Sequence, residues 1–468
     1  MAPILRLFAL VLALLAAAAL VPALVGLGAR DGSAPVFIAT AVASLFLAGA
    51  VHLAVRGRPG RLRRLHLFAA LGVLWLLVPI MAAPAVAVLA PMAFGGAVLE
   101  ALSAFTTTGL SSVGEAPASL HVWLALLQWA GGLLTLVAGI AVLAPAGVAG
   151  LPDRAVHPGE TVEAIDLLDA LGTVAPIYGL ATLVAFIAML GAGASLLSAA
   201  TLATAVISTG AHVPPEAHEF LAASVPGRWV TIPFLLWSAT SVRWHKALVS
   251  RRIHAAPEQG ESLILFGYWA VLGLVMGAYF FRGAAGLHTH EAVLDGLFGA
   301  ASLISTTGLA PHRGAFDELP PALVLAVAFV GGGALSVSGG LKILRVRAML
   351  LRARGDLMRL VYPNLVQPSR TGEGGVGSAM RGVWVGMVAL CLTFAAALIL
   401  IAGSMPSFEA AVSTAVSALS NTGPLLDGTP GPEDFDLLAA VGAGFAMIAG
   451  RLETVGAFVI IHLAFWRT

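Results

Sequence analysis

Four copies of one short polar phrase hold most of the chemistry this sequence can do. AFTTTGLSS runs from Ala104 to Ser112, VISTGA from Val206 to Ala211, LISTTGL from Leu303 to Leu309, and LSNTGP from Leu419 to Pro424. Each contains a Thr-Gly pair: Thr108-Gly109, Thr209-Gly210, Thr307-Gly308 and Thr422-Gly423. The glycines are spaced 101, 98 and 115 residues apart (210−109, 308−210, 423−308). Glycine permits the unusual φ values that let successive carbonyls point one way, and threonine adds a hydroxyl. A short apolar helix before each pair would aim its partially negative C-terminal end at the same spot. In hydrocarbon a free carbonyl is expensive unless it lines water or holds an ion. Four such loops around an axis would exchange the water shell of a monovalent cation for carbonyl oxygens. A single Thr-Gly is an ordinary turn pair, and Thr371-Gly372, in a polar loop, is read as one. The cation reading rests on four copies in equivalent surroundings.

Two further features interrupt apolar stretches. Gly331 to Gly340, GGGALSVSGG, puts five glycines and two serines into ten residues, and Lys342 follows. Such a run holds a helix poorly. It is read either as a flexible constriction involving Gly331, Gly332, Gly333, Ser338, Gly339, Gly340 and Lys342, or as close helix packing through small residues. Arg451, in Gly450-Arg451-Leu452-Glu453, lies midway along an apolar segment, where an ionised group is functional by default. Glu453 is two positions on and off its helix face, so each needs a partner elsewhere. Arg451 either faces a pore and repels cations or joins a buried structural pair. Gln128 and His462 are read as helix-packing hydrogen-bond partners, and Arg243, His245 and Lys246 as snorkelling at a helix end. The 12 histidines show no metal-ligand spacing, and no nucleophile motif or phosphate loop is visible. Cys391 is the single cysteine, which excludes an intramolecular disulfide and a cysteine metal cluster.

The elements that must position these residues follow from composition. The chain is 59% hydrophobic and 10% charged over 468 residues, against roughly 25% charged in soluble domains. Most of it must therefore face lipid, and a net charge of +1 gives no sign of nucleic acid. Ten apolar segments reach the roughly 20 residues of a spanning helix: 4–28, 35–55, 66–90, 119–147, 170–194, 227–249, 262–284, 319–350, 376–404 and 437–466. The first is read as a retained helix, because a signal peptide's apolar core runs roughly 7–15 residues. Segments 95–105, 195–206, 291–304 and 407–419 are too short to cross and read as re-entrant helices.

The expected fold is an all-α polytopic membrane protein. Four pseudo-symmetric units of helix, pore helix, loop and helix surround a pore, at 61–150, 151–255, 256–365 and 366–468, with two extra N-terminal helices in 1–60. Arginines at 56, 58, 61, 63, 64, 251, 252, 345, 347, 352, 354 and 359 put those loops and both termini in the cytoplasm. The weakly acidic 151–166 departs from that pattern. Glu115, Glu216, Glu219, Asp317, Glu318, Asp427, Glu433, Asp434 and Asp436 form an acidic vestibule over the Thr-Gly loops.

The stretches EALSAFTTTGLSSVG (100–114), LLQWAGG (126–132), GGLKILR (339–345), RLVYPNLV (359–366), SNTGP (420–424), GRLE (450–453) and AFWR (464–467) carry a resemblance. Over essentially its whole length the chain resembles the TrkH and TrkG potassium-uptake subunits of the Trk/Ktr/HKT superfamily, and the N-terminal pair of helices favours TrkH over KtrB. The resemblance implies potassium uptake across a bacterial inner membrane, with potassium as cargo and no cofactor in this chain. It implies a filter of Thr107-Thr108-Gly109, Ser208-Thr209-Gly210, Thr306-Thr307-Gly308 and Asn421-Thr422-Gly423. It also implies a gating loop at Gly331 to Gly340 and a pore-facing Arg451. The implied assembly is a homodimer with one pore per protomer and a cytosolic TrkA-type nucleotide-binding ring. Two departures stand out. Ala211 sits where the family often has a second glycine, and the gating loop lacks the usual Gly-Ser-Thr-Gly run. The competing functions are a sodium-permeable or ion-coupled symporter on the same scaffold and, remotely, a membrane enzyme. The latter would need a cluster of carboxylates or histidines, and the sequence presents none.

Overall fold

A computed structural model describes residues 2–58, 64–143, 167–251, 259–283, 288–362 and 375–453. Among them every regular element is helical. The helices are α1 (Ala2–Ala29), α2 (Ala34–Ala54), α3 (Arg64–Leu89), α4 (Phe94–Phe105), α5 (Ala118–Ala138), α6 (Leu167–Gly191), α7 (Leu196–Ser208), α8 (Pro215–Ala223) and α9 (Val225–Ala239). They continue as α10 (Val242–Val249), α11 (Gln259–Gly283), α12 (Thr289–Ile304), α13 (Pro321–Val330), α14 (Ile343–Val361), α15 (Gly375–Ile401), α16 (Phe408–Ser420) and α17 (Leu437–Arg451).

Seven described helices are long and apolar enough to cross a membrane, and the bent pair α8–α9 makes an eighth if taken as one span. The expected succession of long helix, short helix, loop and further helix appears in the element order. Short α4, α7, α12 and α16 match the four segments too short to cross. Two of the ten expected spans differ. Segment 227–249 is two helices, because Ser241 leaves the helical path and caps α10 through Arg243 N. Segment 319–350 ends as a helix at Val330, where Gly331 turns to φ +64, and resumes at Ile343. Beyond the break α14 is polar and arginine-rich, so it does not extend α13 as a span. Of segment 437–466 the described part is α17, which reaches Arg451, with Glu453 at φ +58. Its remainder lies outside the described residues, as do His462, AFWR, Thr371-Gly372 and the 151–166 loop.

The short helices are central and the long ones surround them. Ala101, Ala104, Ala199, Ala205, Ala300, Ala301, Ala415 and Ala418 are fully buried, or nearly so, on α4, α7, α12 and α16. Alanine lets these helices approach their neighbours closely, as packing among apolar helices requires. The approach is closest at α5: a Cβ on Gly131 would sit 1.6 Å from Phe105 O, at the end of α4.

Candidate functional site

Each short helix ends the same way. One residue turns into the left-handed region and reverses the chain: Thr107 (φ +53), Thr209 (+59), Thr306 (+58) and Asn421 (+51). The amide after it reaches back five residues, Thr108 N to Ser103 O (2.8 Å), Gly210 N to Ala205 O (3.0 Å), Thr307 N to Ser302 O (2.9 Å) and Thr422 N to Ser417 O (3.0 Å). These two signatures align the loops by backbone. Three agree with the sequence alignment. In the second, the residue matching Gly109, Gly308 and Gly423 is Ala211, and Gly210 matches the threonines. The triplet in register is therefore Thr209-Gly210-Ala211, and Ser208 is the last residue of α7. Aligning on the Thr-Gly letters sets this loop one residue off.

The four loops meet. A Cβ on Gly109 would lie 2.6 Å from Ala211 Cβ, one on Gly423 2.8 Å from Ala211 Cβ, and one on Gly308 2.4 Å from Gly423 N. Asn421 Nδ2 donates to Thr108 Oγ1 (3.0 Å), joining the fourth loop to the first. In three loops a hydroxyl pair straddles the left-handed residue: Thr106–Thr108, Ser305–Thr307 and Ser420–Thr422, each at 2.8 Å. The second loop has Gly210 where the others have threonine. The vacant volume is taken by Gln128, whose Oε1 would lie 2.2 Å from a Cβ there. Gln128 Nε2 donates to His212 O (3.0 Å), and its Oε1 accepts from His212 N (3.2 Å). Gln128 is thus a hydrogen-bond partner, as expected, and its partner is the loop itself.

The carbonyls are not all free. Ser417 Oγ donates to Thr422 O and to Gly423 O (3.2 Å), and Arg451 Nε donates to Thr106 O (2.6 Å). At the positions matching Ser417, the buried hydroxyls of Ser103 and Ser302 have no hydrogen-bond partner among the described residues. Polar oxygens left over beside a buried turn suit a site that takes water or an ion.

On one side of the ring a cavity of about 570 Å³ opens, lined by Gly109, Ala211, Gly308, Asp427, Glu219 and His312 among others. On the other side the space shrinks to about 30 Å³, walled by Ser336, Ser338, Lys342, Arg451 and Glu453. The 331–342 segment fills the difference. Gly339 N donates to Thr306 Oγ1 (2.7 Å), and Val337 O accepts from Thr209 Oγ1 (3.4 Å) and from Arg451 Nη1. Gly339 has no room for a side chain, since a Cβ would be 1.8 Å from Ser420 O. Lys342 Nζ bonds Ser338 O, closing the segment on itself.

Arg451 is 3% exposed and also bonds Thr107 Oγ1. It lies at the C-terminus of α17, whose dipole favours a cation, directly beneath the ring. Arg451 and Glu453 do have separate partners: Glu453 pairs with Arg345. His245 does not snorkel. It is 5% exposed, stacked on Trp237 at 3.8 Å and paired with Thr240 Oγ1 at 2.7 Å.

Sequence reading missed Glu100, which is fully buried on α4. Its carboxylate accepts from Ser112 N (2.9 Å) and Ser111 Oγ, and faces His212 Nε2 at 3.2 Å. It missed Asp295 on α12, paired with Arg228 at 3.0 Å and 3.6 Å from His312. An acid inside a short apolar helix was the available signal for both. His312 also bonds Glu318 (3.0 Å). Its pKa is raised, first by the Asp295 carboxylate and further by Glu318, against burial. Among the described residues no group of three or more His, Cys, Asp or Glu side chains could hold a metal ion.

An all-helical membrane protein whose apolar helices enclose a ring of converging loops, open to a wide cavity on one side and stopped on the other, belongs architecturally with ion transporters. The comparisons make this specific. No family model matches the chain. The Trk system potassium uptake protein TrkH of Vibrio parahaemolyticus is 27% identical over 487 residues, covering 99% of each chain. The Trk system potassium uptake protein TrkI of Halomonas elongata is 28% identical, covering 100% of this chain and 97% of that one. The crystal structure of the potassium transporter TrkH from Vibrio parahaemolyticus superposes with a TM-score of 0.86 at 26% identity, covering 100% and 99%. Over its full length and in fold the chain is similar to TrkH-type potassium-uptake membrane subunits, and these relatives are transporters rather than enzymes.

Proposed function

We propose that the chain takes up potassium through a pore whose filter is the ring of four loops. The observation that supports it is the convergence of Gly109, Ala211, Gly308 and Gly423 within contact distance of one another, between a wide cavity and a blocked one. The filter positions are Thr107-Thr108-Gly109, Thr209-Gly210-Ala211, Thr306-Thr307-Gly308 and Asn421-Thr422-Gly423. The wide cavity is the outer vestibule, lined by Glu219 and Asp427 together with Arg313 and four histidines rather than by the full set of acids expected from sequence, and the arginine-rich side with both termini is cytoplasmic. Segment 331–342 and Arg451 form the gate: the loop occludes the path, and the guanidinium holds the loop to the filter while raising a barrier to cations. The four units divide near 61–150, 151–255, 256–365 and 366–468. The membrane potential drives entry, worth about 2.3 kcal/mol per charge per 100 mV. The assembly is a homodimer in the inner membrane, controlled by a cytosolic TrkA-type nucleotide-binding ring.

A second reading has one observation in its favour. Ala211 puts a methyl group into a ring otherwise made of glycine, which suits a filter less strict against sodium. Rubidium uptake into liposomes carrying the purified chain, with sodium as competitor and with or without a pH gradient, tests both. Uptake driven by potential alone and resistant to sodium supports the channel-like reading. Uptake that requires the proton gradient, or is equally fast for sodium, supports the symporter or sodium-permeable alternative. No rubidium uptake under any gradient would refute the proposal.

A further inference from the structure

Three consecutive residues of the 331–342 segment are gripped by one corner of the molecule, away from the ring. Gly333 N donates to Ala239 O (2.8 Å), the last residue of α9, and Val242 N, at the start of α10, donates to Leu335 O (3.1 Å). Between them Ala334 N donates to Glu261 Oε1 (2.7 Å), in the first turn of α11. Two of these grips are backbone to backbone, and the third is a side chain from a different helix. Glu261 is 4% exposed. A carboxylate is costly to bury and needs compensating bonds, and an amide donating to it makes a charge-assisted bond, stronger than the neutral pair beside it. The fit is close, since a Cβ on Gly333 would lie 3.2 Å from both Ala239 O and Glu261 Oε1. Within five residues the same segment reaches the ring, through Val337 O and Gly339 N. The segment is therefore strung between two anchor sets, the filter loops and the α9–α10–α11 corner.

We infer that Glu261 is a positioning residue for the gate, its carboxylate holding Ala334 so that the segment stays drawn under the filter. This rests on the reading of 331–342 as the gate. α11 begins on the side proposed as cytoplasmic, so a displacement of its first turn is passed through Glu261 to the segment. The corner is then the place where a cytoplasmic event acts on the pore. Glu261 takes part in none of the filter-loop bonds described above.

The test uses the full chain in liposomes with two readouts: rubidium flux, and labelling of Ser336→Cys in a Cys391→Ser background by a small charged thiol reagent. Ser336 lines the small inner cavity, so its labelling reports whether the segment has moved. Loss of a charge-assisted bond predicts that Glu261→Ala raises both readouts by about tenfold. Glu261→Gln, whose amide oxygen still accepts from Ala334 N but without the charge, rises less than Glu261→Ala, and rubidium-to-sodium preference is unchanged throughout. Glu261→Asp, shorter by one methylene, falls between them and serves if Glu261→Ala does not fold. Parent-like flux and labelling in Glu261→Ala, or in Glu261→Asp where that is the variant that folds, overturn the inference. If Arg451→Ala still raises flux in that case, the gate reading survives without Glu261. If Arg451→Ala is silent as well, the gate reading falls with it.

Discussion

Replacing Gly308 by serine tests the ring most directly, because the structure gives two separate reasons why only glycine fits. Its φ is +78, where a residue with a Cβ carries roughly 1–3 kcal/mol of strain. The added Cβ would also lie 2.4 Å from Gly423 N and 2.5 Å from Gly423 Cα, backbone atoms that cannot rotate away. Ordinary contact begins at 3.4 Å, so the third and fourth loops must separate by 1.0 Å (3.4−2.4). Selectivity depends on how closely oxygens replace a given ion's water. A change of roughly 1.4–2.8 kcal/mol in the potassium-over-sodium difference is a ten- to hundredfold change in preference. The expected result is a fall of at least about tenfold in rubidium preference over sodium, read as uptake into liposomes against a sodium competitor. Gly428→Ala is the control. Gly428 has φ +73 but nothing within 4 Å of an added Cβ, so it carries the strain without the crowding and should cost stability while leaving selectivity alone. If Gly308→Ser keeps the parent's rate and preference, the ring is not the filter.

Three other outcomes follow from the same geometry. Ala211→Gly removes the one methyl between Gly109 and Gly423 and should sharpen rubidium preference over sodium, with a stability loss of about 0.5–1 kcal/mol. Unchanged preference would mean the methyl is not at the ion's path. Arg451→Ala removes the bonds to Thr106 O, Thr107 Oγ1 and Val337 O and should raise flux, whereas a lower melting temperature with unaltered flux would mark the arginine as a structural tie only. His312 has a raised pKa, so protonation favours the fold. Its contribution is complete below the ordinary imidazole value of about 6.5 and is lost as pH rises through the raised one. Thermal stability should therefore decline as pH climbs above about 6.5, and His312→Gln should flatten that decline.

Much of the architecture could be read without coordinates. Segments too short to cross an apolar layer, each ending in Thr-Gly, marked out α4, α7, α12 and α16, and the glycine run at 331–340 announced the break between α13 and α14. Both signals are local: helix length is limited by the count of apolar residues, and glycine raises the cost of helix wherever it stands. The break at Thr240-Ser241 was harder, because apolar residues on both sides mimic one span while Ser241 caps a second helix.

Four polar turns recurring in an apolar chain, and one arginine to be accommodated within it, are written in the residues alone. Which residue of each turn faces the others is set by the packed fold. Backbone φ and the five-residue return bond moved the second loop by one position and brought Ala211 into the ring. Sequence letters could not reveal this, because the missing threonine side chain is supplied by Gln128 from α5, 82 residues earlier (210−128). Nor could they pair Glu261 with Ala334, 73 residues apart. Those contacts are set by how helices stack in space, and a hydrogen bond across such a separation leaves no periodicity in the chain that makes it.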